Sequence, residues 1–325
     1  MLVGAGAFLT VCGTAHAEVG QASAAPGQWY LGFTAGGGAL WGTDHEAYMG
    51  GGEGPITPGP DTLHPVNFDA GVFFSGGVDI GYRFESAAVI DRIELNLDLG
   101  MQSRNIDHDT SHAFFALEGS SPFGAYNWFD PQLRAAGNED TGSIETRLSF
   151  KGLLLDNEDG TVVGSLEPFF RFQDTDSLLE VTRRDREFAS RSDDIEAEYY
   201  GLQIAFEVER PVSEALSLVG RASAGAYYVT SDIDSRQEGF DEPVGDPFSA
   251  SANSWGGRFG GALGLKVPLY HTGASLTLMG TVDYMTDVAT IDHSPYQRPT
   301  ETKAAFDDQL EVGGEVGLVF PLTWQ

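Results

Sequence analysis

Ten stretches of this chain carry apolar residues at every second position, and the links between them are alternately short and long. Ile93, Leu95, Leu97, Leu99 and Met101 interleave with Arg92, Glu94, Asn96, Asp98 and Gly100. Leu310, Val312, Gly314, Val316, Leu318, Phe320, Leu322 and Trp324 interleave with Gln309, Glu311, Gly313, Glu315, Gly317, Val319, Pro321 and Thr323. A period of two belongs to a β-strand, whose side chains point alternately to opposite faces, so each segment has one apolar and one polar face. The pattern predicts strands over 28–38, 69–84, 89–106, 142–155, 161–173, 195–210, 215–230, 255–269, 274–286 and 309–324.

The links at 85–88, 156–160, 211–214 and 270–273 are tight turns with Asp-Gly, Pro or Gly, whereas 39–67, 107–141, 174–194, 231–254 and 287–308 read as long loops. Strict alternation puts every long loop at one end of the sheet. Compact soluble domains rarely carry so many long structureless loops. A membrane barrel does, with short turns on one side and long loops on the other. The expected fold class is therefore all-β, a single transmembrane antiparallel up-and-down β-barrel of about ten strands. Ala113–Leu117 and Ala125–Phe129 leave room for a further hairpin, so counts from eight to twelve are compatible. A soluble sandwich would also bury one face of each strand, but it gives no reason for turns so consistently short at one end.

Composition agrees. Mean hydropathy is −0.17, low for a helical membrane protein, which needs apolar runs of about 20 residues. A barrel strand needs only alternate apolar positions over ~9–11 residues. The formal charge is −30, and the five long links hold 28 acidic and 8 basic residues. So strong an anionic balance disfavours nucleic acid as a partner. Residues 1–17 read as a signal peptide, with an apolar Leu2–Val11 stretch and Ala15-His16-Ala17 as a small-x-small cleavage site, although no Lys or Arg precedes Arg83. Residues 18–27 would be a short periplasmic N-terminal segment, and 28–325 the barrel domain. Val11 is too bulky for a lipid-attachment site before Cys12, the only cysteine. Cleavage after Ala17 would leave a thiol-free chain, without disulfides or cysteine chemistry.

Aromatic residues collect where two membrane interfaces would fall: Tyr30, Tyr82, Tyr270 and Trp324 at the short-turn end, Tyr200, Tyr228, Trp255 and Tyr284 at the long-loop end. On the signal, alternation, link asymmetry, aromatic girdles and C-terminal amphipathic strand, residues 28–325 resemble bacterial outer-membrane β-barrel proteins of porin-like type. The resemblance implies export to a Gram-negative outer membrane, contact with lipid and lipopolysaccharide, and recognition by the barrel-assembly machinery. Members usually end on an aromatic residue; here Phe320 and Trp324 lie near the end, but the last residue is Gln325. No motif narrows the match to a subfamily.

If apolar positions face lipid, the inward face offers Arg92, Arg147, Lys151, Arg171, Arg221, Arg258 and Lys266 against Glu94, Asp98, Glu145, Glu167, Glu207, Asp283, Glu311 and Glu315. Ten strands lie near the size at which side chains fill a barrel. The lumen is expected to hold a charge network, either plugged or with a thin water path. Gly256, Gly260, Ala262 and Gly264 would leave one strand's inner face bare, for a passage or to make room for long arginines opposite. Gly220, Ala222, Ala224 and Ala226 form a smooth outward stripe open to oligomer contact.

Acidic pairs recur at the outer strand ends, Asp107 with Asp109, Asp174 with Asp176 and Asp232 with Asp234, either as a solvated surface or as weak sites for Ca²⁺ or Mg²⁺. No other cofactor is expected. Asp107-His108 and Asp292-His293, with Ser111, His112 and Ser294 nearby, are the catalytic candidates for a rim hydrolase. Omptin proteases are the natural comparison, but their Asp-x-His spacing is absent from both sites. Arg183, Arg184, Arg186 and Arg191, interleaved with acids, suggest a self-paired loop over the mouth. The expected function is a narrow cation-preferring pore or a surface/structural protein with an acidic extracellular crown, the alternative being the omptin-like rim hydrolase.

Overall fold

The computed structural model describes residues 26–42, 47–50, 63–66, 70–85, 89–109, 114–117, 126–129, 133–183, 186–239, 248–269, 272–292 and 303–322. The described residues form fourteen strands: β1 (Gln28–Gly42), β2 (Ala47–Gly50), β3 (Leu63–Val66), β4 (Gly71–Arg83), β5 (Arg92–Asp109), β6 (Phe114–Leu117), β7 (Tyr126–Phe129), β8 (Leu133–Asn157), β9 (Gly160–Arg183), β10 (Arg186–Ser213), β11 (Leu216–Gly239), β12 (Phe248–Leu269), β13 (Ala274–Asp292) and β14 (Lys303–Leu322). Ten of them form a closed barrel in the order β1-β14-β13-β12-β11-β10-β9-β8-β5-β4. β4 pairs back onto β1, Tyr30 opposite Gly81, so the sheet has no outer edge strand. Closure is what lets a sheet enter hydrocarbon, because every backbone donor and acceptor is then satisfied within the protein.

The extra hairpin anticipated within 107–141 is present as β6 and β7, but outside the barrel. It joins β2 and β3 in a separate four-stranded sheet ordered β3-β2-β6-β7, so the barrel count stays at ten. The strands also outrun their expected ends. β9 and β10 pair up to Arg183 opposite Arg186, so 174–194 is a hairpin extending the wall, not a loop over the mouth. The apolar alternation that marks a strand in lipid stops near Phe172, because outward positions become Asp174, Asp176 and Glu180. Inward positions Thr175, Ser177 and Leu179 remain buried, which keeps the segment in the sheet.

The alternation resolves cleanly into two faces. On β10, Tyr200, Leu202, Ile204, Phe206 and Val208 are each 46–50% exposed on the outside, while Tyr199, Gln203 and Ala205 are buried within. β4 and β5 continue the same apolar belt with Phe74, Val78, Ile80, Leu95, Leu97 and Leu99. Such a belt suits a hydrocarbon surround.

Inside, four aromatic rings each lie across a register-paired glycine on the next strand. They are Tyr30 on Gly81, Phe73 on Gly38, Phe169 on Gly201 and Tyr227 on Gly256. A β-carbon at Gly256 would stand 2.5 Å from the Tyr227 ring. Glycine in a strand often marks this kind of close approach, and the ring restores the packing that the missing side chain forgoes.

β13 departs from the cylinder near its outer end. Its ladder with β12 stops at Arg258 opposite Met285, and a bulge follows before Val288 pairs with Asp307 of β14. Asp287 sits in the bulge at φ +58°, a left-handed conformation that Asp tolerates better than most residues. Neighbouring strands hold the bulge: Gly257 N donates to Thr286 Oγ1 at 2.8 Å, Ser254 Oγ to Asp287 Oδ1 at 3.0 Å, and the Tyr227 hydroxyl to the Thr286 carbonyl. Beyond it, Val288, Ala289, Thr290 and Ile291 are all buried, although consecutive strand residues normally alternate. This arm bends inward and packs on Ile195, Tyr199, Val229 and Ile233, with Ala289 N donating to the Tyr199 hydroxyl at 3.3 Å. Beside β10 and β11 the outer end of the barrel is thereby filled with apolar side chains.

Candidate functional site: the barrel interior and its outer rim

All fifteen residues expected on the inward face lie inside the wall, each 8% exposed or less. Most of them meet in ion pairs. Lys151 Nζ bridges Glu94 at 2.6 Å and Glu207 at 3.0 Å. Arg221 continues from Glu207 at 3.0 Å to Glu167 at 2.6 Å, and Gln203 also donates to Glu167 at 2.5 Å. Arg147 reaches Asp98 at 3.1 Å, while Arg258 joins Glu145 at 2.8 Å and Asp283 at 2.9 Å. Lys266 pairs with Glu209 at 2.8 Å. A charge in a low-dielectric interior needs a partner, and removing one partner strands the other at a cost of several kcal/mol.

Arg171 is placed differently. It is 1% exposed, its guanidinium lies 5.9 Å from the Tyr199 ring centroid and Nη1 approaches Met285 Sδ at 3.4 Å. It marks the boundary between the ionic lower lumen and the apolar cluster built around the β13 arm.

Sequence reasoning missed several members. Asp79, Arg104, Glu139 and Asp193 are buried at inward positions, as are Asn96 and Gln102. Asn96 donates to Asp79 at 2.6 Å, Arg104 Nε to Glu139 at 2.8 Å, and Ser235 to Asp193 at 2.5 Å. Asp79 was within reach of the alternation, since Phe74, Val78 and Ile80 face outward on the same strand. Glu139 and Asp193 lay in segments expected to be loops. With these included, eight cations and eleven carboxylates occupy buried inward positions among the described residues. The near balance expected from the shorter set becomes a carboxylate excess.

Two expectations are corrected. Tyr30 does not belong to a girdle: it is 4% exposed, and its hydroxyl donates to Glu94 inside the barrel. Its neighbour Trp29 faces outward instead, 5.0 Å from Tyr82. The inner face of β12 is not an open lane either, because Gly256 receives the Tyr227 ring and Arg258 crosses toward Glu145. The other described girdle rings do face outward, with Tyr200 against Phe170 at 5.1 Å, Tyr228 against Trp255 at 5.3 Å and Tyr284 stacked on Phe259 at 6.4 Å. Tyr270 and Trp324 lie outside the described residues. Ala222, Ala224 and Ala226 are exposed on the outer face of β11, as a small-residue stripe would be.

Beyond the belt, the outer face turns acidic in register. Asp140, Asp176, Asp194 and Asp234 stand side by side across β8, β9, β10 and β11, and Asp174, Glu196 and Asp232 form the next row. Burial and this crowd of like charges push the Asp194 carboxyl above its ordinary range. Strands lie ~4.8 Å apart, so carboxylates in a row point in parallel rather than converging on one point. Among the described residues no three acidic, His or Cys side chains gather to hold a metal, Asp174, Asp176, Asp232 and Asp234 included.

For Asp107, His108, Asp109 and Asp292 only the backbone is described, and His293 lies outside the described residues, as do Ser111, His112 and Ser294. β5, which carries His108, and β13, which leads toward His293, are separated around the wall by β14, β1 and β4. Arg191 pairs with Asp193 at 3.3 Å. The side chains of Arg183 and Arg186, and all of Arg184, are outside the described set.

No family model and no curated protein sequence matches the chain. Solved structures do. The outer membrane protease OmpT from Escherichia coli aligns with a TM-score of 0.50 at 10% identity, covering 90% of this chain and 97% of that one. The translocator domain of autotransporter NalP from Neisseria meningitidis gives 0.38 at 12% identity, covering 90% and 88%. A major outer membrane protein from Thermus thermophilus gives 0.31 at 14%, covering 90% and 99%. At such identity the likeness concerns architecture and carries no activity across. The chain has the closed antiparallel fold of bacterial outer-membrane β-barrel proteins.

Proposed function

We propose that the protein spans the outer membrane of a Gram-negative bacterium as a narrow, cation-preferring passage. The observation that carries this is the excess of buried inward carboxylates, eleven against eight cations. Fixed negative charge inside low-dielectric walls raises the local cation concentration and disfavours anions. The acidic rows on the outer sheet act in the same direction at the mouth, with an effect that salt screens over about 10 Å at 0.1 M. Because paired side chains and the β13 arm fill much of the interior, the expected conductance is small. Planar-bilayer recording of the refolded protein across a KCl gradient tests this directly. A reversal potential on the potassium side is expected; chloride selectivity or a silent membrane would overturn the proposal.

The acidic outer sheet favours a second reading, a surface or structural protein whose carboxylate rows meet the headgroup layer through divalent cations. A silent bilayer together with Mg²⁺-dependent retention on lipopolysaccharide-containing vesicles would favour it over the pore.

A further inference from the structure

The wall is continuous through the apolar belt and parts above it. The β12–β13 ladder stops at Arg258 opposite Met285, just past the Phe259–Tyr284 pair of the outer girdle. From there β13 bulges at Asp287 and follows β14, Val288 opposite Asp307. β12 instead stays on β11, without a register shift, as far as Phe248 opposite Ser235. One side of residues 248–257 is thus laddered, and the other has no partner strand among the described residues. Hydrocarbon would not tolerate such an edge, but above the belt water reaches it.

Strand geometry fixes which groups line the edge. Gly257 N crosses the seam to Thr286 Oγ1 at 2.8 Å. Backbone groups two residues apart point to the same side, so the N–H and C=O of Trp255, Asn253, Ser251 and Ser249 face the place that β13 leaves. Burial agrees. On the inner face Phe248, Ala250, Ala252 and Ser254 are only half-buried, although their register partners on β11, Ser235, Ile233, Ser231 and Val229, are all buried. The stretch also lacks the charges and proline that usually guard an exposed edge.

We infer that the outer edge of β12 docks an extended peptide of another protein, added as an antiparallel strand in the place β13 leaves. Main-chain hydrogen bonds supply the affinity of such an addition, and alternate side chains supply its selectivity. Inward positions of the peptide lie beside Ala250 and Ala252 and next to the cluster containing Val288 and Ile291, so they are apolar. Outward positions lie between carboxylates, Asp234 and Asp232 opposite Ser249 and Ser251 on one side and Asp308 beside Tyr284 on the other. Charge complementarity therefore excludes acidic residues there. A second copy of this chain does not fit, because antiparallel pairing of two β12 edges would set the barrels in opposite orientations across one membrane.

Cys12 is the only cysteine, so N253C on a C12S background carries a single environment-sensitive fluorophore at the edge. A short peptide alternating valine with lysine, added to the refolded full-length protein, should shift the emission saturably. An N-methylated version keeps every side chain but loses the N–H donors; it should bind weaker by about tenfold or more, as should a valine–glutamate peptide. S251P removes an edge donor where proline is tolerated and should weaken binding by a similar factor, with circular dichroism confirming the folded barrel. Equal binding of the N-methylated peptide would reduce capture to charge attraction, and equal binding of the glutamate peptide would remove the selectivity. Unaltered binding to S251P would move the contact elsewhere. No response at all would leave the edge to water or to residues 293–302 of this chain. Each of these four results overturns the proposal.

Discussion

The two faces of β9 and β10 treat charge in opposite ways. Inward, Glu167 and Glu207 meet Arg221 of β11, Glu207 also meets Lys151 of β8, and Gln203 donates to Glu167. Outward and a few residues further along the same strands, Asp174, Asp176, Asp194 and Glu196 stand beside further carboxylates. The difference follows from dielectric environment. A unit pair at 4 Å is worth about 1 kcal/mol in water and about 4 kcal/mol at an effective dielectric of 20. Repulsion that solvent can absorb at the rim would be intolerable in the lumen, so the inside must be paired and the outside is free to repeat one sign.

The strongest challenge to that contrast is to remove one buried partner. Glu167 is 0% exposed and holds Arg221 and Gln203. E167A is expected to destabilise the barrel by about 3–5 kcal/mol, read from denaturant unfolding in detergent or lipid. A loss no larger than that of an outer-row variant such as D232A would break the contrast. Packing gives the next effect. A β-carbon at Gly201 would overlap the Phe169 ring, whereas one at Gly142, on the outer face, meets nothing within 4 Å. G201A should cost about 1–3 kcal/mol through overpacking, and G142A should stay within about 0.5 kcal/mol of wild type. In a double-mutant cycle, F169A should relieve part of the G201A penalty.

The smallest effect is electrostatic and lies at the rim. Asp194 has its carboxyl raised by burial and by Asp174, Asp176, Glu196 and Asp234. A raised acid binds its proton more readily in the folded sheet than in the unfolded chain. Its contribution is therefore fully present below the ordinary carboxylate range and is lost as pH rises through the folded value. Amide protection factors at the outer ends of β9–β11, with the intrinsic pH dependence of exchange divided out, should be highest in mild acid and fall toward neutrality. D194N should flatten that dependence, and an unchanged profile would remove the repulsion from the account. The effect is modest, because Asp194 is largely exposed to solvent that screens it.

Much of the inner network was legible because period two is a local property. Once Ile93 and Leu95 are assigned to lipid, Arg92 and Glu94 must face the other way. Tyr30 escaped because it neighbours Trp29: either aromatic could supply the interface, and the choice rests on Glu94, sixty-four residues away. The continuation of β9 and β10 escaped because their outward residues become acidic once they pass the belt, which erases the apolar signal while leaving the hydrogen-bonded ladder intact. The β13 arm had no local signature at all. Val288, Ala289 and Ile291 resemble an apolar loop until the bulge at Asp287 turns them onto β10 and β11.

Sequence alone determined the alternation of faces, the strand-and-turn rhythm and the identity of most inward charges, because each depends on neighbours one or two residues apart. Tertiary structure decided which charges meet, which glycines receive a ring, and that β13, β14, β1 and β4 become adjoining staves free of internal lysine or arginine. Those outcomes depend on barrel closure and register between residues far apart in the chain, and no local pattern encodes the distance between them.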